Sequence, residues 1–124
     1  MVIAVFIAGS GMVLAAPLGD SEKQFLASYD KIRLALAADD LSTAKTVAAG
    51  LGVDGSKLAK SGSLKEARAA FENLSDKAKQ LAAGQAGYYV VNCPMLKKDW
   101  VQMTEKIGNP YYGKEMATCG EIKK

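Results

Sequence analysis

The sequence predicts a mainly α protein, a small antiparallel helical bundle of about three helices followed by an irregular C-terminal tail with a little β-structure. Apolar residues between Phe25 and Leu36 recur at the helical period, and a longer stripe of the same kind runs from Leu64 to Leu81. At Gly87 the period changes, and "YYVVNC" brings β-branched and aromatic residues that favour an extended strand.

In "GDSEKQFLASYDKIRLALAADD", Phe25, Tyr29, Ile32 and Leu36 form one continuous helical face. Ser21 with Gln24 has the spacing of a capping box, which satisfies backbone donors left open in a first turn. Asp39 and Asp40 break the pattern, and Asp40 is placed to cap a shorter helix carrying Leu41, Ala44, Ala48 and Leu51. The glycine- and serine-rich "GLGVDGSKLAKSGS" reads as a connector with room for one helical turn after Asp54. Ser63 and Glu66 make a second capping box, followed by Leu64, Ala67, Phe71, Leu74, Ala78 and Leu81 on one face, with Gly84 as the stop. Pro94 ends the strand that "YYVVNC" begins, because it fixes its own backbone and restricts Cys93 before it. "DWVQMT" fits a short strand or a helical turn, and "GNPYYG" has turn chemistry.

The chain has 124 residues, about half of them apolar and about a quarter charged, which suits one domain with a modest core. The net charge is +3 and the lysines are scattered, so charge gives no support to nucleic-acid binding. Residues 1–16, "MVIAVFIAGSGMVLAA", contain no charged side chain. They fall short of the roughly 20 apolar residues of a membrane span and read as a secretory signal with small residues at Ala15 and Ala16 near the cleavage point. The alternatives are a buried N-terminal helix or an uncleaved anchor, and only the second would involve a membrane. The expected organisation is therefore a leader over 1–16 and a single exported helical domain over 17–124, with a Cys/Met-rich segment at 88–122.

That segment concentrates the sulfur. Cys93, Met95, Met103, Met116 and Cys119 lie within 93–119, in a chain without histidine. Cys93 and Met95 flank a proline, and Met116 and Cys119 are three apart, so each pair can present its sulfurs together. Two thiolates and two thioethers would select Cu(I) or Ag(I) over harder ions. Zinc would want four Cys or His ligands, a nucleophilic cysteine would want a histidine base, and no phosphate-binding glycine loop is present; the chain does not read as an enzyme. The competing reading is a Cys93–Cys119 disulfide, worth roughly 3–4 kcal/mol for a loop of this length, with the methionines as core filler. Trp100, Tyr88, Tyr89, Tyr111 and Tyr112 read as core and turn-packing residues rather than a ligand cage.

The ordered elements "CPM" from Cys93, Trp100, "NPYYG" from Asn109 and M-x-x-C-G from Met116 to Gly120 resemble a domain of unknown function. That domain is found in exported bacterial proteins and at the C-terminus of some CusB-type periplasmic adaptors of heavy-metal efflux pumps. The resemblance implies a periplasmic or otherwise extracytoplasmic module that binds or transfers Cu(I) or Ag(I), with an efflux adaptor as its partner. Carried over by position, Cys93, Met95, Met116 and Cys119 are the implied ligands, and Asn109, Pro110, Tyr111 and Gly113 form the turn that sets the second pair opposite the first. Relatives often place a histidine or aromatic residue before the "CPM" cysteine; here Asn92 stands there, leaving only sulfur.

Overall fold

A computed structural model describes residues 16–123, so the leader reading lies outside the described residues except at Ala16. The architecture is mainly α with a small antiparallel sheet, as expected in class. One detail differs from expectation. Among the described residues the helices number four, α1 (Asp20–Ala37), α2 (Leu41–Ala49), α3 (Ser56–Ala59) and α4 (Leu64–Ala82). The β-structure of the tail is one small sheet, with β1 (Tyr89–Cys93), β2 (Lys98–Gln102) and β3 (Glu121–Ile122) in the order β2-β1-β3.

The extra helix has a local cause. A 3-10 turn over Gly52–Gly55 brings the Gly55 backbone against the Ala48 carbonyl, where any Cβ would collide. This close approach starts α3 at Ser56 and buries Leu58. The start of α1 also differs from the Ser21–Gln24 box. Gly19 is the N-cap, and its N–H donates to Glu22 Oε1 at 2.8 Å. Asp40 caps α2 as expected, its Oδ1 accepting from Thr43 N at 3.0 Å. Ser63 Oγ accepts from Glu66 N at 3.1 Å, while the Glu66 carboxylate reaches one residue beyond the box, to Gly62 N at 3.0 Å.

The α1 stripe is buried, and the α4 stripe is buried from Ala67 to Ala78 with Leu64 and Leu81 partly exposed at its ends. Phe25, Tyr29, Ile32 and Leu36 of α1 meet Ala67, Phe71, Leu74 and Ala78 of α4, while Val91, Trp100 and Val101 close the core from the sheet. Burying each large apolar side chain contributes about 1.5–3 kcal/mol. Tyr29 and Phe71 stack with centroids 4.5 Å apart, and Tyr111 tilts against Phe71 at 5.8 Å and against Trp100 at 6.1 Å. Aromatic contact therefore runs unbroken from α1 through α4 to β2. "DWVQMT" resolves as strand β2, in register with β1 through Val91–Trp100 and Asn92–Asp99. β3 pairs Val91 with Ile122 and Asn92 with Glu121. Among the described residues no helix is long and apolar enough to cross a membrane.

A row of hydroxyls is buried in this core. Tyr29 Oη and Ser75 Oγ are 2.6 Å apart, Ser75 Oγ and Tyr111 Oη 2.7 Å, and Val101 N donates to Tyr29 Oη at 3.2 Å. Burial pushes the phenols of both Tyr29 and Tyr111 well above their ordinary value, and for Tyr111 the neighbouring Tyr29 adds to the shift. Tyr29→Phe strands the Val101 N–H and one side of Ser75, and should cost about 1–3 kcal/mol. Urea unfolding checks this: a lower midpoint at unchanged slope is expected, and an unmoved midpoint would show that the hydroxyl row holds nothing. The raised phenols also fix a sign. Their stabilisation is complete below the unfolded tyrosine value near pH ~10 and is lost as pH rises above it. Tyr111→Phe should accordingly flatten the alkaline limb of the stability curve, as followed by circular dichroism against pH.

Candidate functional site

Cys93 closes β1 and is fully buried. Its carbonyl accepts from Lys97 N at 2.8 Å, which folds 94–97 into the turn leading to β2, with Lys97 in the left-handed region at φ 55°. Cys119 precedes β3, half-buried, with its N–H donating to Met116 O at 3.1 Å and its carbonyl accepting from Asn109 Nδ2 at 3.0 Å. Because β3 is antiparallel to β1, the ends of the two strands carry the cysteines to one place. The Sγ atoms lie 2.6 Å apart. The hydrogen bond with Cys93 holds the Cys119 thiol above its usual value, with desolvation, the charge of Cys93 and Glu121 adding to it. Such a thiol is a poor nucleophile at neutral pH, since reactivity follows the thiolate.

The predicted methionines are placed differently. Met95, at the tip of the β1–β2 turn, is 72% exposed. Met116 is half-buried on a 3-10 turn over Lys114–Met116 that leads to Cys119. Met103 is exposed in the loop after β2. Among the described residues no group of three or more His, Cys, Asp or Glu side chains is placed to hold a metal ion. Trp100 is core, Tyr111 half-buried and Tyr112 exposed.

The "NPYYG" stretch does more than turn the chain. Asn109 is fully buried; its Oδ1 accepts from Tyr111 N at 2.8 Å and its backbone N–H donates to Ala117 O at 2.7 Å. The Pro110 carbonyl accepts from Arg68 Nε at 2.9 Å. Gly113, at φ 83°, lies against the Asp39 carboxylate and the Arg68 guanidinium, which leave no space for a Cβ. Gly120 likewise lets the backbone pass close to Val91 and Trp100.

Three residues that hold this segment carry no motif signal. Gln102 is fully buried, its Oε1 accepting from Trp100 Nε1 and Gly108 N, each at 2.9 Å, and its Nε2 donating to the Thr104 and Lys106 carbonyls, each at 2.9 Å. Arg33, 1% exposed, pairs with Asp30 at 2.9 Å and donates to Gly108 O at 3.1 Å. Arg68 also donates to Leu36 O at 2.8 Å and to Asp39 Oδ1 at 2.7 Å. The Arg68 hydrogen bond, with Lys114 N–H behind it, holds the Asp39 carboxyl below the usual range. Arg33 alone was open to discovery, since it follows Tyr29 by four residues and so borders the buried stripe.

The chain matches no protein-family model, no curated protein and no solved structure.

Gln102→Leu fills similar volume but orphans the Trp100 and Gly108 N–H donors and takes one donor each from the Thr104 and Lys106 carbonyls. The expected cost is at least about 3 kcal/mol, well above the loss for an ordinary core swap. Equilibrium denaturation measures it, and a loss below about 1 kcal/mol would mean that water replaces the amide.

Proposed function

We propose that the chain is an exported, disulfide-stapled protein-interaction domain in which Cys93 and Cys119 bond and clamp the C-terminal segment onto the sheet. The observation that carries this reading is the 2.6 Å approach of the two sulfurs at neighbouring strand ends. Met95 turned to solvent gives it further support. An oxidising compartment forms and keeps such a bond. Protein recovered from that compartment should show no free thiol and a mass lower by two hydrogens. Reduction, or Cys93→Ser with Cys119→Ser, should then lower stability by about 3–4 kcal/mol. Two titratable thiols in native exported protein would sink the staple.

A second reading rests on the same sulfur pair. Reduced Cys93 and Cys119 are two adjacent soft donors, to which Met95 and Met116 would add thioethers if the turns at Pro94 and Lys114–Met116 closed on them. Cu(I) or Ag(I) would then be the cargo, passed by ligand exchange to a heavy-metal efflux adaptor, as the family resemblance implies. Titration of reduced protein with Cu(I) against a competing chelator decides it. Binding no tighter than in the double-serine variant ends the metal reading.

A further inference from the structure

Two clefts flank one ion pair. Lys98 Nζ and Glu72 Oε1 lie 2.7 Å apart, joining β2 to α4, and the same ammonium sits 5.5 Å from the Tyr111 ring centre. On one side is a cleft of about 450 Å³ with Ser75, Asp76, Lys79, Lys97, Asp99 and Lys123 in its walls. On the other is one of about 320 Å³ with Lys65, Arg68 and Ala69. Glu72, Lys98 and Tyr111 border both. The ion pair is thus a crossbar between two adjoining clefts, here called together the trough, which lie between α4 and the β1–β2 hairpin and share Tyr111.

The crossbar is weakly held, because Lys98 and Glu72 side chains are 32% and 50% exposed. Exposed pairs contribute at most about 1 kcal/mol. The trough is also unbalanced in charge: six cationic side chains border it against three carboxylates, with Asp39 as a fourth that pairs Arg68 from outside. Lys79 and Lys123 share one carboxylate, Asp99. Lys65 and Lys97 make no ion pair among the described residues.

We propose that this trough docks an acidic peptide segment of a partner protein, whose carboxylates displace Glu72 from Lys98 and engage Lys65 and Lys97. The inference names the surface and the partner chemistry of the interaction domain proposed above, and it rests on that reading. Two clefts side by side, a shared aromatic wall and excess positive charge together favour an extended acidic chain over a compact anion.

The test is fluorescence anisotropy with a labelled peptide of alternating glutamate and serine, at low and at physiological salt. Wild-type protein should bind it in a salt-dependent way. Lys65→Glu with Lys97→Glu should weaken binding roughly tenfold or more, since rim charges govern such encounters. Lys23→Glu with Lys31→Glu, the same charge change on exposed positions of α1, should have little effect. Glu72→Gln should tighten binding by removing the internal competitor. An equal loss in both charge-reversed proteins, or no peptide binding, overturns the proposal. So does unchanged or weaker binding in Glu72→Gln, or equal affinity for a short DNA duplex or free phosphate. Thiol counting on the same preparation tells a failed staple from a failed trough.

Discussion

The buried hydroxyl row from Tyr29 through Ser75 to Tyr111 is the constraint on which the structure depends. It joins α1, α4 and the C-terminal loop, and the Val101 N–H brings in β2. Unlike the apolar contacts around it, this row is directional. Helix and sheet can slide over one another at little loss of buried area, but not without breaking these hydrogen bonds, and the Tyr29 end of the row lies where water cannot replace them. Every buried side-chain nitrogen and oxygen of the described residues has a partner, so the polar content of this core specifies an arrangement instead of loosening it.

The segment after β2 is held by the same logic at its surface. From Met103 to Gly120 it has little regular structure of its own, so its backbone groups need partners from elsewhere. Gln102, Asn109, Arg33 and Arg68 supply them. Arg68 is the most economical, since one planar guanidinium reaches the Leu36 carbonyl at the end of α1, the Pro110 carbonyl and Asp39. A lysine offers a point charge and could not serve all three directions.

Legibility in the sequence followed the range of the forces involved. The α1 and α4 faces, the Asp40 and Ser63 caps, the Gly84 stop and β1 were readable because each depends on neighbours within about a turn of chain. α3 was half-readable: the turn after Asp54 was visible, but its start depends on Gly55 touching the Ala48 carbonyl. β3 was not readable, since two residues carry no alternation and their strand character comes wholly from β1. At the site, spacing marked both cysteines but not their distance from the methionines, which the β1–β2 turn sets by sending Met95 to solvent. Gln102 and Arg68 looked like ordinary polar residues because most of their partners are backbone groups, which no sequence displays.

The single tryptophan lies where these parts meet. Trp100 is fully buried, edge-on to Tyr111, its indole N–H held by Gln102 and its ring tip against the Gly120 backbone. Its surroundings thus include the C-terminal segment on both sides of Cys119, and Tyr111 of that segment links it onward to Phe71 of α4. In optical terms the molecule carries its own label at the seam. Lifting the C-terminal segment would wet the indole and red-shift its emission while the helical signal in circular dichroism stayed put, so the joining of sheet to helices can be watched separately from the helices themselves.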